Sequence, residues 1–339
     1  MKVLTCTKPG LLEYDTRDLP GLKPGNTLLR IKRIGICGTD LHAYEGTQPY
    51  FNYPRVLGHE IAGEIISTDA PGFEGNESVT VIPYFNCNQC IACRKGKPNC
   101  CVDIRVCGVH VDGAMVEYLS VPSYSLVHGE YFNDDELALV EPLAIGAHAV
   151  RRAAVKENET VLVVGAGPIG LATMELARVA GAVVIAIDVN AARLNFCGQN
   201  LNIKHLIHAA SPDIVAQLKD ITNGDMPDAL FDATGNLNAI SGSFRFIAHG
   251  GRYVLVGLQK DEICFSHPEF HKREATLMSS RNATREDFAH VMDCIRQKLI
   301  SPARFITHRM QFDEVKNLFA DLLNPASGAI KAMVEFDQR

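Results

Sequence analysis

The 339-residue chain lacks any uninterrupted apolar run long enough to cross a bilayer. Its most apolar stretch, residues 161–187, is interrupted by Glu175 and Arg178 and studded at its start with Gly165, Gly167 and Gly170. The N-terminal residues Met1-Lys2-Val3-Leu4-Thr5-Cys6 have neither the apolar core nor the small-residue cleavage site of a signal peptide, so a cytoplasmic protein is expected. Basic clusters are absent: 33 Lys and Arg residues stand scattered against 39 acidic ones, leaving a net charge of -6, which argues against nucleic-acid and membrane partners. No low-complexity tract suggests disorder, and no internal repeat is visible. The 11 cysteines are an odd number in a chain without an export signal, which favours thiols and metal ligands over a disulfide framework. What remains is an ordinary globular composition, 47% hydrophobic and 21% charged, in a chain long enough for two domains.

Up to about residue 146, short β-type runs such as residues 27–31 and 79–82 are separated by Gly, Pro and Asn, the pattern of an antiparallel or barrel-like sheet. From Thr160 the texture changes to an apolar strand, a glycine turn, a helical run over residues 169–179 and a second apolar strand over 183–187. That is a βαβ unit. Further strand-like runs at 229–233 and 252–256 predict a doubly wound parallel sheet, and so an α/β protein. The tail carries amphipathic helical patterns at 285–298 and 313–323 and a strand at 332–336, whose place in the fold the pattern leaves open.

Cys87, Cys90, Cys93 and Cys101 follow a C-x2-C-x2-C-x7-C spacing inside a polar loop. Four thiolates close a tetrahedral zinc shell with no position left for substrate, which makes this a structural site. An iron-sulfur cluster is the competing reading, and Cys100 competes with Cys101 as fourth ligand. A second set is mixed: Cys37 within Gly35-Ile36-Cys37-Gly38-Thr39-Asp40, His59 and Glu60 after Gly58, and Glu141. Sulfur, nitrogen and oxygen donors together suit a catalytic zinc that keeps an exchangeable position.

Gly165-Ala166-Gly167-Pro168-Ile169-Gly170 directly follows a strand and opens a helix, the context a dinucleotide-binding turn requires. Asp188 ends the next strand, where a carboxylate bonds the adenosine ribose hydroxyls and repels a 2′-phosphate, so NAD is expected over NADP. Arg193 stacks near the adenine or is simply solvated.

The order of these motifs, Cys37 in its Gly-Ile-Cys-Gly-Thr-Asp segment, Gly58-His59-Glu60, the four-cysteine loop and the glycine turn, resembles the zinc-dependent medium-chain alcohol and polyol dehydrogenases over nearly the whole chain. The resemblance implies a GroES-like catalytic domain over residues 1–146 holding both zincs, a Rossmann NAD-binding domain over 147–279, and a segment over 280–339 that returns to the catalytic domain. It implies Cys37 and His59 as zinc ligands, with Glu60 and Glu141 completing the shell as in the sorbitol dehydrogenase-like branch. Two carboxylates beside a thiolate make that shell formally anionic, so one glutamate is expected to act through water or intermittently, and the zinc to be held more loosely than in the four-cysteine loop. Thr39 matches the hydroxyl that accepts the alcohol proton and His42 the histidine that relays it, while Asp40 orients His59 or caps a helix. Tyr44 and His148 line the pocket or pack in the core. Thr234, Val256 and Gly257 match residues flanking the nicotinamide ribose, and Lys331 a basic residue near the pyrophosphate. One departure stands at Asp69, where the family usually has glycine.

Tyr53-Pro54-Arg55-Val56-Leu57-Gly58-His59-Glu60, Gly108-Val109-His110 and Ser280-Arg281-Asn282 look most like the bacterial sugar-acid 5-dehydrogenases of the L-galactonate, L-gulonate or L-idonate type. Arg281 and Asn282 are then the substrate-binding cation and amide. A neutral polyol or L-threonine would use the same mechanism. The family is usually a homodimer or homotetramer, with the Rossmann sheet edge a common interface.

Overall fold

The computed structural model describes residues 1–49 and 51–336. Alternating burial along Asn26–Ile36 gives way to three consecutive buried residues, Ile34, Gly35 and Ile36, and this strand is the centre of a seven-stranded sheet. Glu60–Ser67, Tyr118–Pro122 and Lys331–Glu335 all pair with it antiparallel. Leu29, Ile31, Ile34, Ile61, Ile65, Val79, Val81, Met310 and Val334 form the core beneath it. Each such side chain contributes roughly 1.5–3 kcal/mol by leaving water.

The chain divides into two compact units, Met1–Glu141 with Thr284–Arg339, and Pro142–Ala283. The first break falls inside helix Asp134–Arg152, at Pro142, rather than after residue 146. Gly146 already belongs to the second unit: a Cβ there would come 2.6 Å from the Ala172 backbone. The return falls at Thr284 rather than 280, because the Ser280 N–H still bonds Leu255 O at 2.9 Å within the parallel sheet.

That second unit is built on six parallel strands in the order His205–His208, Val183–Asp188, Thr160–Val164, Ala229–Asp232, Arg252–Leu255, Thr276–Ser279. Its inner strands are buried on nearly every residue, as strands covered on both faces must be. Helix Pro168–Val179 starts with proline in its first turn and buries every residue from Gly170 to Ala177, so it is a core helix.

The tail departs from expectation in two places. Residues 313–323 form no continuous helix but a chain of short turns around Val315–Leu318. The helical spacing of Phe312, Val315, Phe319 and Leu322 survives, since all four pack into the barrel core. Strand Ile306–Gln311 has no continuous apolar run to announce it, alternating exposed polar residues with half-buried Ile306 and His308 and buried Met310. It forms by pairing in parallel with Lys331–Glu335.

Candidate active site and metal centres

The four-cysteine loop folds on itself as its spacing requires. Cys90 precedes the short helix Ile91–Arg94, which turns Cys93 back toward it, with the two sulfurs 3.5 Å apart. Backbone N–H groups of Cys87 and Cys90 point at Cys101 Sγ and Cys87 Sγ, at 3.3 and 3.4 Å. All four sulfurs lie within 4.8 Å of one another, the packing four thiolates need around one zinc. Cys101 is the fourth member, and Cys100 is exposed. Hydrogen bonds, the largest from the Cys93 backbone, lower Cys90 to about 6, which favours the metal-binding thiolate. Burial drives Cys101 the other way, to about 11.

The mixed set lies in the same unit. Strand Asn26–Ile36 delivers Cys37 to the start of helix Gly38–Glu45, and Glu60 begins strand Glu60–Ser67 beside it. Asp40 ties the two together: its carboxylate accepts the Cys37 N–H at 2.9 Å and the Gly58 N–H at 3.1 Å. It therefore caps the helix rather than bonding His59, whose Nδ1 stands 3.8 Å away with no hydrogen-bond partner. Burial alone would lower the His59 pKa, but Asp40, then Cys37 and Glu141, outweigh it and hold the ring well above its usual range.

The two glutamates are anchored differently. Glu141 is buried and its Oε1 accepts the hydroxyl of buried Tyr84, a residue that carried no signal in the sequence. Burial first, then the nearby Glu60 charge, pushes Glu141 up to about 7, against the opposing pull of His59. Glu60 Oε1 bonds the Lys331 ammonium, which also donates to Ile36 O at 3.2 Å. Its Oε2 is buried without a partner, pressed over Gly35, where a Cβ would come within 1.8 Å. Lys331 was expected near the pyrophosphate; as the first residue of strand Lys331–Glu335 it is instead fully buried against Glu60 in the catalytic unit. An orphaned imidazole nitrogen and an orphaned carboxylate oxygen beside a thiol and a second carboxylate are the donor chemistry of a zinc site, although these donors are not gathered within 4.8 Å of one another as the loop sulfurs are.

In the second unit, Gly165 at φ +101° makes the turn, and Gly170 lets the helix approach it: a Cβ there would stand 1.8 Å from Gly165 O. Gly167 and Pro168 begin the helix, with Ile169 in its first turn, and a Cβ on Gly167 would stand 3.8 Å from Arg193 Nη1. Arg193 is half-buried beside the glycine turn. Asp188 accepts the Ala166 N–H at 2.6 Å and the Asn190 N–H at 2.7 Å, which locks the acidic residue to the glycine turn. Asp232, raised by burial, organises the other loops: it accepts from Thr234 N, Thr234 Oγ1 and Gly235 N, while its carbonyl accepts from Val256 and Gly257.

Thr39 is half-buried, two residues after Cys37 in the first turn of helix Gly38–Glu45. His42 is exposed, with Nδ1 3.2 Å from Thr47 Oγ1 and 3.4 Å from Glu45. Tyr44 packs on Phe319, ring centroids 5.2 Å apart, the core alternative. His148 is buried in the second unit and pairs with Arg151 at 3.3 Å. Arg281 is exposed in the second unit and Asn282 adopts φ +55°. Asp69 accepts the Gly25 N–H at 3.1 Å, so the departure closes a loop and touches no metal ligand through that bond.

Residues 23–130 match the alcohol dehydrogenase GroES-like domain and residues 168–297 the zinc-binding dehydrogenase domain. The chain is 44% identical to L-galactonate-5-dehydrogenase of Escherichia coli K12, covering 99% of both proteins. It is 30% identical to L-threonine 3-dehydrogenase of Pyrococcus abyssi, again over 99% of each. The crystal structure of the alcohol dehydrogenase RspB of E. coli CFT073 with NADH superposes with a TM-score of 0.92 at 30% identity, over 99% of each chain. A GroES-like barrel with a four-thiolate lobe and a mixed metal site, joined to a Rossmann sheet, defines a zinc-dependent dehydrogenase that uses a dinucleotide. The chain belongs to the zinc-dependent medium-chain alcohol dehydrogenase family. No helix among the described residues is long and apolar enough to cross a membrane.

Proposed function

We propose that the protein oxidises a secondary alcohol of a sugar acid, of the L-galactonate, L-gulonate or L-idonate type, at C5 to the keto acid, with NAD as hydride acceptor. The observation that carries the substrate class is the 44% identity to L-galactonate-5-dehydrogenase across both full chains. Cys37, His59 and Glu141, with Glu60, would hold the catalytic zinc, and Cys87, Cys90, Cys93 and Cys101 the structural one. A zinc held there would supply Lewis-acid polarisation of the substrate hydroxyl, and NAD would supply the hydride acceptor for the carbon that bears it. Thr39 accepts the hydroxyl proton, and His42, 62% exposed, releases it to solvent. Asp40 keeps the Cys37 and Gly58 turns in register. Asp188 selects NAD by accepting from the ribose hydroxyls and repelling a 2′-phosphate. Arg281 pairs with the substrate carboxylate and Asn282 with a hydroxyl. The enzyme works in the cytoplasm as a homodimer or homotetramer, through the edge strand Thr276–Ser279, whose Leu277 is exposed.

NADH formation, followed by absorbance with L-galactonate, L-gulonate, L-idonate, sorbitol, xylitol and threonine at equal concentration, tests the reading. A clear preference for one acid is expected, and Arg281→Ala should raise KM for that acid at least tenfold. Preference for a neutral polyol or for threonine would overturn the sugar-acid assignment and the carboxylate role of Arg281.

A further inference from the structure

Tyr84 has no part in the steps above, yet it is buried, and its hydroxyl donates to Glu141. A buried phenol without a partner is costly, so this hydrogen bond is what satisfies the Tyr84 hydroxyl. Tyr84 lies on the two-residue strand Tyr84–Phe85, which pairs antiparallel with Arg105–Val106: Tyr84 faces Val106 and Phe85 faces Arg105. All four zinc-spaced cysteines lie between these two strands in sequence. The ribbon is therefore the neck of the four-cysteine lobe. Two residues a side give a ribbon little stability of its own, so its geometry depends on what closes the loop beyond it.

Glu141 comes from a different element, helix Asp134–Arg152. Glu141 Oε1 accepts from a neutral phenol, in contrast to Glu60, whose Oε1 is matched by the Lys331 ammonium. We propose that Tyr84 is a positioning residue through which the metal-closed four-cysteine lobe sets the orientation of Glu141, so that loading of the structural site tightens metal binding at the open one. The inference rests on the zinc reading of the proposed function and adds a coupling between its two sites.

The test uses the zinc-loaded full chain and follows zinc release to a chromogenic chelator, with the visible absorption of cobalt exchanged into the open site as a second readout. Tyr84→Phe, which keeps the ring and removes the hydroxyl, should speed release from the open site roughly tenfold or more, the usual effect of losing a ligand's hydrogen-bond partner. It should also shift the cobalt spectrum while leaving the four-cysteine phase unchanged. Cys90→Ser should likewise speed open-site release, and should add nothing in a Tyr84→Phe background. Open-site release unchanged by Tyr84→Phe, or effects of the two substitutions that simply multiply, would overturn the inference. Should Cys90→Ser misfold, Tyr84→Phe in a Glu141→Ala background replaces it: an unchanged Tyr84→Phe effect there would mean that Tyr84 does not act through Glu141. A single zinc in the unsubstituted protein would instead overturn the two-zinc reading itself.

Discussion

Lys331 bonds Glu60 across 271 positions of sequence, inside the barrel, with both side chains essentially inaccessible to solvent. Burial opposes the ammonium charge, but Glu60, Cys37 and Glu141 together outweigh it and raise the Lys331 pKa. The cation offsets one of two carboxylates that would otherwise crowd the Cys37 site with negative charge. The C-terminal strand thus completes the electrostatics of a site whose other members all lie in the first 141 residues.

Removing that cation strands a buried carboxylate. Lys331→Met should destabilise the protein by about 3–5 kcal/mol, and adding Glu60→Gln should restore much of the loss. Urea unfolding of the wild type, both single variants and the double variant measures this. Strictly additive effects would show that the pair has no specific coupling.

Cys100 and Cys101 are adjacent, but only the Cys101 sulfur joins the four-sulfur group. Cys101→Ser should therefore lower zinc content by one equivalent and reduce thermal stability, while Cys100→Ser changes neither. Elemental analysis of the purified variants decides it. The reverse pattern would reassign the fourth ligand.

The two sites should also differ in lability. In the open site Glu60 is engaged by Lys331 and Glu141 by Tyr84, whereas the loop gathers four thiolates within 4.8 Å. Graded chelator treatment is expected to remove the Cys37-site zinc first, with activity lost before thermal stability. Stability falling first would contradict this order.

Asp188 holds the Ala166 N–H and faces the glycine turn. Asp188→Ala should raise KM for NAD roughly 10- to 100-fold, the effect of losing charged hydrogen bonds, and should narrow the preference over NADP. Steady-state kinetics with both cofactors test it. An unchanged ratio would place ribose selection elsewhere.

Without zinc, protonation of the open site contributes to the pH dependence of stability. Glu141 titrates at about 7 in the folded protein against an ordinary 4.5, so the native state retains a proton that the unfolded chain has lost over that interval. His59 is raised too, in the same direction. Stability of chelator-treated protein should therefore fall as pH rises from about 4.5 through 7. Glu141→Gln should flatten the profile. A profile that Glu141→Gln leaves unchanged would contradict the raised Glu141 pKa.

Local chemistry was legible in the sequence wherever ligands or glycines sit close together along the chain. Two-residue gaps bring Cys87, Cys90 and Cys93 to one ion whatever the rest of the fold does, and Gly165 to Gly170 form their turn between a strand and a helix that the apolar period announces. The parallel sheet followed from the same period, since strands buried on both faces must read as continuous apolar runs. Long-range partners left no such trace. Tyr84 and Lys331 are separated from Glu141 and Glu60 by 57 and 271 positions, and a tyrosine or lysine in a strand has the same local pattern whether it meets solvent or a buried carboxylate. Asp40 was legible as a residue that matters but not in its bonding, because a carboxylate three residues after Cys37 can reach either a backbone N–H or an imidazole. Only the packed barrel, by taking its central strand from the N-terminal region and the neighbouring strand from the C-terminus, decided which charges face each other without water between them.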